Sequence, residues 1–251
     1  MSRNFTTLAF AAITAMAATG AQAYTTFNGV DANGAETVLA VTPNATAAEN
    51  AFRANLVGTG TETFETQTTG AIAPLVLSFG VAGTATLSGG GGSVQANAVG
   101  LTNGAGRYSV PGGTKFWEVT AGGTGGAFTV TFSQAIAAFG FYGIDIGDFL
   151  GTVSLEFLDA ANNVLGTRAV AAAPAGTANA SVLYFGSLAD SNAELFRAVR
   201  FVTTGGTGDV FAFDSFTIGT QQQVHRTPEP GSLALVALGM LGLGIAKRRR
   251  A

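Results

Sequence analysis

Alternation of apolar and polar residues leaves this chain few folds to adopt. In Phe128-Thr-Val-Thr-Phe132, Phe128, Val130 and Phe132 fall on one side of an extended backbone and Thr129 and Thr131 on the other. Val153, Leu155 and Phe157 repeat the pattern in Thr152-Val-Ser-Leu-Glu-Phe-Leu158. Successive side chains of a strand point to opposite faces, so each segment predicts a strand with one buried face. Comparable runs predict strands over 75–79, 84–88, 116–120, 138–144, 164–170, 181–185, 198–203 and 211–218. Asp159-Ala-Ala-Asn-Asn163 has turn composition, which makes 152–158 and 164–170 a hairpin. Short strands at roughly 8–12-residue spacing, without βαβ alternation, point to an all-β chain, a jelly-roll-like antiparallel β-sandwich. The chain has no cysteine, so an extracytoplasmic fold must be held by its core without disulfides.

One early stretch departs from this pattern. Thr46-Ala-Ala-Glu49 has capping-box spacing, Pro43 lies upstream, and Ala48, Phe52 and Leu56 recur every fourth residue. A short amphipathic helix over 47–57 is expected, covering one end or face of the sheet. Ser191-Asn-Ala-Glu194 has the same spacing but leads quickly into a β-branched run, so only a single helical turn is expected there. The Gly89–Gly92 run lacks a following Lys-Ser/Thr, so it reads as a flexible loop rather than a phosphate cradle.

Both ends carry addresses. Arg3, the apolar run Leu8–Ala18 and the small residues Ala21 and Ala23 have the order of a signal peptide spanning 1–23, with cleavage after Ala23. At the other end Pro228-Glu229-Pro230-Gly231 precedes the uncharged run Leu233–Ala246, and Lys247, Arg248, Arg249 and Arg250 follow. Those fourteen apolar residues, at ~1.5 Å each, would form a short hydrophobic helix of roughly 21 Å, less than the ~30 Å hydrocarbon core. Gly239, Gly242 and Gly244 weaken it further, so a transient transmembrane helix is expected rather than a lasting anchor. The three-part tail, 227–251, resembles the PEP-CTERM sorting signal of bacterial surface proteins. That resemblance implies an exosortase-type membrane protease as partner, transient residence in the inner membrane, then the cell surface or extracellular matrix. Residues 24–220 are left as the β-sandwich domain and 221–226 as a linker.

Charge narrows the function. Between Tyr24 and Thr227 seven Lys plus Arg face fourteen Asp plus Glu, a net charge of −7. Nucleic-acid binding rests on clustered cations, so nucleic acid is not an expected partner. The single histidine, His225, lies in the polar linker, where nothing would orient it as a general base.

Carboxylates remain. Asp145 and Asp148 sit at a strand end, as do Asp209 and Asp214 in Gly208-Asp-Val-Phe-Ala-Phe-Asp-Ser215. Hard oxygen ligands on loops suit a structural Ca²⁺, although aspartates also cap turns. Tyr108, Trp117, Tyr142 and Phe149 are candidates to stack on sugar rings, and core packing explains most of them equally well. The segments Ala138–Phe149 and Phe211–Ile218 look like jelly-roll domains of other PEP-CTERM proteins and loosely like carbohydrate-binding modules. The expected role is non-catalytic, structural or adhesive, with polysaccharide as a candidate partner. The alternative is a secreted glycan hydrolase using the loop carboxylates.

Overall fold

The computed structural model describes residues 24–110, 112–205 and 208–225. The expected signal peptide and the sorting signal with its hydrophobic helix lie outside the described residues.

The strands, in chain order, are β1 (Tyr24–Asp31), β2 (Gly60–Glu62), β3 (Leu75–Ser78), β4 (Thr84–Ser88), β5 (Ser93–Ala96), β6 (Lys115–Thr120), β7 (Phe128–Ile136), β8 (Ala138–Ile144), β9 (Thr152–Leu158), β10 (Val164–Val170), β11 (Val182–Ala189), β12 (Phe196–Thr204) and β13 (Val210–Gly219). They form two antiparallel sheets. One runs β1-β11-β8-β13-β6-β5, with β2 pairing the far end of β13; the other runs β10-β9-β12-β7-β4-β3. The chain is an antiparallel β-sandwich, and 152–158 and 164–170 pair as the expected hairpin.

Alternation sets the second sheet. Val153, Leu155 and Phe157 are buried in β9, as are Phe128, Val130 and Phe132 in β7. The first sheet differs at its centre, where β8 and β11 are buried along their whole length. Their near-continuous apolar sequences fit strands covered on both faces. One cover is the second sheet and the other is a helix, α1 (Pro43–Arg53).

Helix α1 starts four residues earlier than the capping-box spacing predicts. Pro43 occupies the first turn, where its missing amide costs nothing, and Asp31 at the end of β1 receives the free amides of Asn44 (3.1 Å) and Ala45 (2.8 Å). Thr46 is therefore inside the helix rather than capping it. Glu49 instead pairs with Arg53 at 2.7 Å and accepts the Tyr142 hydroxyl at 2.7 Å. Leu56 lies past the helix end and bridges Val224.

The helix lies on a track of glycines. Gly186 of β11 and Gly140 of β8 are cross-strand partners, and the fully buried Phe52 ring sits over both. A Cβ on Gly29 of β1 would run into the Asn44 carbonyl. Sequence reasoning missed β1, whose Gly29 admits the helix backbone. The short β2 and β5 were also unexpected. The Gly89–Gly92 run is not a loose loop; Gly91 donates to Gly125 at 2.7 Å and Gly92 abuts the Trp117 ring as the chain crosses between sheets.

Between the sheets the core is mainly phenylalanine. Phe201 of β12 stacks on Phe128 at 4.3 Å and meets Phe141, Phe213 and Phe216 of the facing sheet at 5.0, 5.1 and 5.8 Å. Phe213 and Phe216 are three apart, yet both face inward. The β13–β8 register shifts between Asp214 and Thr217, and Ser215 has φ 52°, so a bulge turns the strand between them.

Replacing Gly186 by Ala would put a methyl group 2.6 Å from the Phe52 ring. The G186A chain is expected to lose about 1–3 kcal/mol by urea unfolding, the usual cost of overpacking. An unchanged midpoint would show that α1 can lift off the sheet without loss.

Candidate functional site

Loops 121–127, 145–151 and 171–181 and residues 208–209 gather at one end of the sandwich, and Asp145, Asp148 and Asp209 sit among them. Asp145 follows β8 in a left-handed conformation, φ 61°. Its amide donates to Ser181 O, its Oδ1 accepts the Ala180 amide at 2.8 Å, and its Oδ2 accepts Arg107 Nη1 at 3.1 Å. Arg107 is engaged further by Glu118 at 2.7 Å and the Ala105 carbonyl. Gly106 is required, because a Cβ there would overlap Asn179 and Asp145.

Asp209, just before β13, is fully buried. Its Oδ2 accepts the Gly151 amide at 2.9 Å, its carbonyl accepts the Ala121 amide, and its Oδ1 has no partner. Oδ1 of Asp148 is likewise buried and unpartnered. Burial, then the approach of Asp148, pushes Asp209 up to about 7. Burial also pushes Asp145 up to about 6, against the Ala180 amide and Arg107.

Asp214 does not join them. It sits at the β13 bulge and holds the 105–114 loop, accepting Ser109 Oγ (2.6 Å), the Val110 amide (2.9 Å) and the Ser215 amide. The expected set of four aspartates is thus corrected to a neighbouring trio plus one remote anchor. Among the described residues no three His, Cys, Asp or Glu side chains form a ready metal cluster.

The aromatic expectation is corrected for three of its four residues. Tyr108, Trp117 and Tyr142 are 4%, 0% and 2% exposed, and a ring without a free face cannot stack on a sugar. Tyr142 lies under α1 against Tyr184, Trp117 packs on Phe128, and the Tyr108 hydroxyl joins Leu39 to Ala180. Only Phe149 is exposed, at 57%, beside the exposed Leu150 at the tip of the 145–151 loop. A shallow groove of about 190 Å³ lies elsewhere, lined by Val38, Asn97–Leu101, Tyr108, Ser109, Gly112 and Gly113.

Sequence reasoning missed Arg107, Glu62 and Glu65, and had Glu194 only as the end of a capping turn. Glu65 accepts the Thr114 and Lys115 amides, Glu62 those of Phe64 and Ser78, and Glu194 those of Asp190 and Ser191 in the expected single turn. Only Glu194 carried a local signal, its capping-box spacing. His225 is exposed, and its amide donates to Asn55 O at 2.8 Å.

The PEP-CTERM protein-sorting motif matches residues 226–250. The chain therefore carries this motif, which implies an exported protein sorted by an exosortase, a membrane protein, after transient membrane anchoring. None of the curated proteins matches. Among solved structures, a DUF4465 family protein from Bacteroides caccae is similar at 11% identity and TM-score 0.41, covering 66% of this chain and 100% of its own. The K1 cleaved adhesin domain of Lys-gingipain from Porphyromonas gingivalis gives 14% and 0.40, covering 66% and 99%. The C-terminal family 22 carbohydrate binding module of Clostridium thermocellum Xyn10B gives 16% and 0.36, covering 67% and 94%.

Burial raises Asp214 to about 8 from 3.8, against its three hydrogen bonds. A folded pKa above the unfolded one means the native state retains the proton between about pH 4 and pH 8, so this group's contribution falls as pH rises through that window. D214N should flatten the decline in urea midpoint from pH 5 to pH 8. An identical slope in both proteins would count against a protonated Asp214.

Proposed function

We propose that an exosortase delivers this protein to the cell surface or extracellular matrix, where it acts as a non-catalytic structural or adhesive module with polysaccharide as its ligand class. The observation that carries this reading is the sorting motif joined directly to a sandwich whose buried carboxylates anchor its own loops. A glycosidase needs two carboxyl groups facing one cleft across the scissile bond. Asp145 instead meets the Ala180 amide and Arg107, Asp214 meets the Val110 amide and the Ser109 hydroxyl, and the groove at Val99, Leu101 and Tyr108 is lined by no acid. The exposed Phe149 is the ring best placed to meet a sugar face.

Replacing Pro228-Glu229-Pro230 by three alanines should leave full-length precursor in the membrane, while wild type loses its tail and reaches the surface or matrix. Wild type that keeps residues 231–251 in the inner membrane would refute exosortase sorting. For the role after sorting, F149A should weaken retention on host polysaccharide several-fold, up to about tenfold. Release of reducing sugar by wild type, lost in D145N or D148N, would favour the hydrolase instead.

A further inference from the structure

At the loop end of the sandwich, the Asp148 and Asp209 carboxylates lie against each other, and each has a buried oxygen that no donor reaches. Asp209 is fully buried with one oxygen on the Gly151 amide, and its Oδ1 is without a donor; Asp148 Oδ1 is in the same condition. Leaving a buried carboxylate oxygen unmet is unfavourable, more so when it is charged, and two neighbouring carboxylates also repel. A proton or a cation between them would relieve both. Arg107 is not available, since its guanidinium is held by Asp145, Glu118 and the Ala105 carbonyl. The adjacent backbone is rich in oxygen: the Gly151 and Ala173 carbonyls lie 3.4 and 3.5 Å from the point a Gly147 Cβ would occupy.

We propose that Asp148 Oδ1 and Asp209 Oδ1 hold a divalent cation of the calcium class, its shell completed by loop carbonyls and water. The donors are hard oxygens, which disfavours zinc, and an irregular shell of loop oxygens suits the 6–8 oxygens of Ca²⁺ better than the strict octahedron of Mg²⁺. The ion ties the β8–β9 loop, which passes from one sheet to the other, to the segment entering β13. It thereby fixes the Phe149–Leu150 tip. The competing occupant is a proton shared by the two carboxyls.

The test uses the purified full chain, stripped with EDTA, at pH 7.5. Calorimetric titration with CaCl₂ should give one site per chain, and calcium at a hundredfold excess over Kd should raise Tm by about 5–10 °C. D148N and D209N should each weaken Kd at least tenfold, while D214N keeps the response. Asp148 is only partly buried, so D148N carries the test if D209N fails to fold. No heat and no Tm shift in wild type, or an undiminished calcium response in D148N, would overturn the proposal. An equal Tm shift with MgCl₂ would overturn the assignment to calcium. Neither outcome depends on how the chain is sorted.

Discussion

The contact of Phe201 with the facing sheet is the constraint on which the rest depends. Without disulfides, the two sheets are joined by apolar burial, and Phe201 touches Phe128 in its own sheet and Phe139, Phe141, Phe213 and Phe216 across the gap. Large rings suit this task because each removes a wide apolar area from water and fixes geometry through edge and face contacts. The bulge at Asp214–Ser215 serves the same layer. Without it, strict alternation would send either Phe213 or Phe216 to the outer face, where α1 and the 105–114 loop already pack.

Packing this dense on both faces of β8 and β11 leaves buried polar groups to be met. The sandwich meets most of them through acidic side chains accepting loop amides. Asp31 holds the start of α1, Glu62 and Glu65 hold the crossings near β2 and β6, Asp145 the approach to β11, and Asp214 the approach to β6. Several of the acidic residues are therefore internal anchors rather than surface charge. Asp148 and Asp209 break that pattern, because each keeps an oxygen that no amide reaches.

The second sheet was largely legible in the sequence because β3, β4, β7, β9 and β12 each bury one face, and alternation records that directly. Helix α1 was legible in kind and misplaced in register. Its cap is Asp31, distant along the strand before it, and no local spacing reveals a cap delivered by another element. The same reason hid β1, where Gly29 is shaped by the helix above it. Site residues fared worse: Asp145, Asp148 and Asp209 share one end because β8 and β13 are neighbours, but the bulge turns Asp214 away. The aromatics misled because Tyr142 and Trp117 look alike in sequence whether they face a sugar or a core.

The junction between sandwich and sorting motif sets how processing relates to folding. Val57 N donates to Gln223 O at 2.9 Å, His225 N donates to Asn55 O, and Leu56 pairs with Val224, so the backbone is pinned to the domain as far as residue 225. Pro228 follows three residues later, a reach of at most about 10 Å when fully extended. For an exosortase, a membrane protein, to reach the motif at that distance, either the sandwich comes against the lipid surface or the pin opens. Opening it breaks two backbone hydrogen bonds and exposes the half-buried Val224, a local event far cheaper than separating the phenylalanine layer. The peptide can therefore become accessible while the sandwich stays folded, and the stability of the domain and the efficiency of its sorting can vary independently.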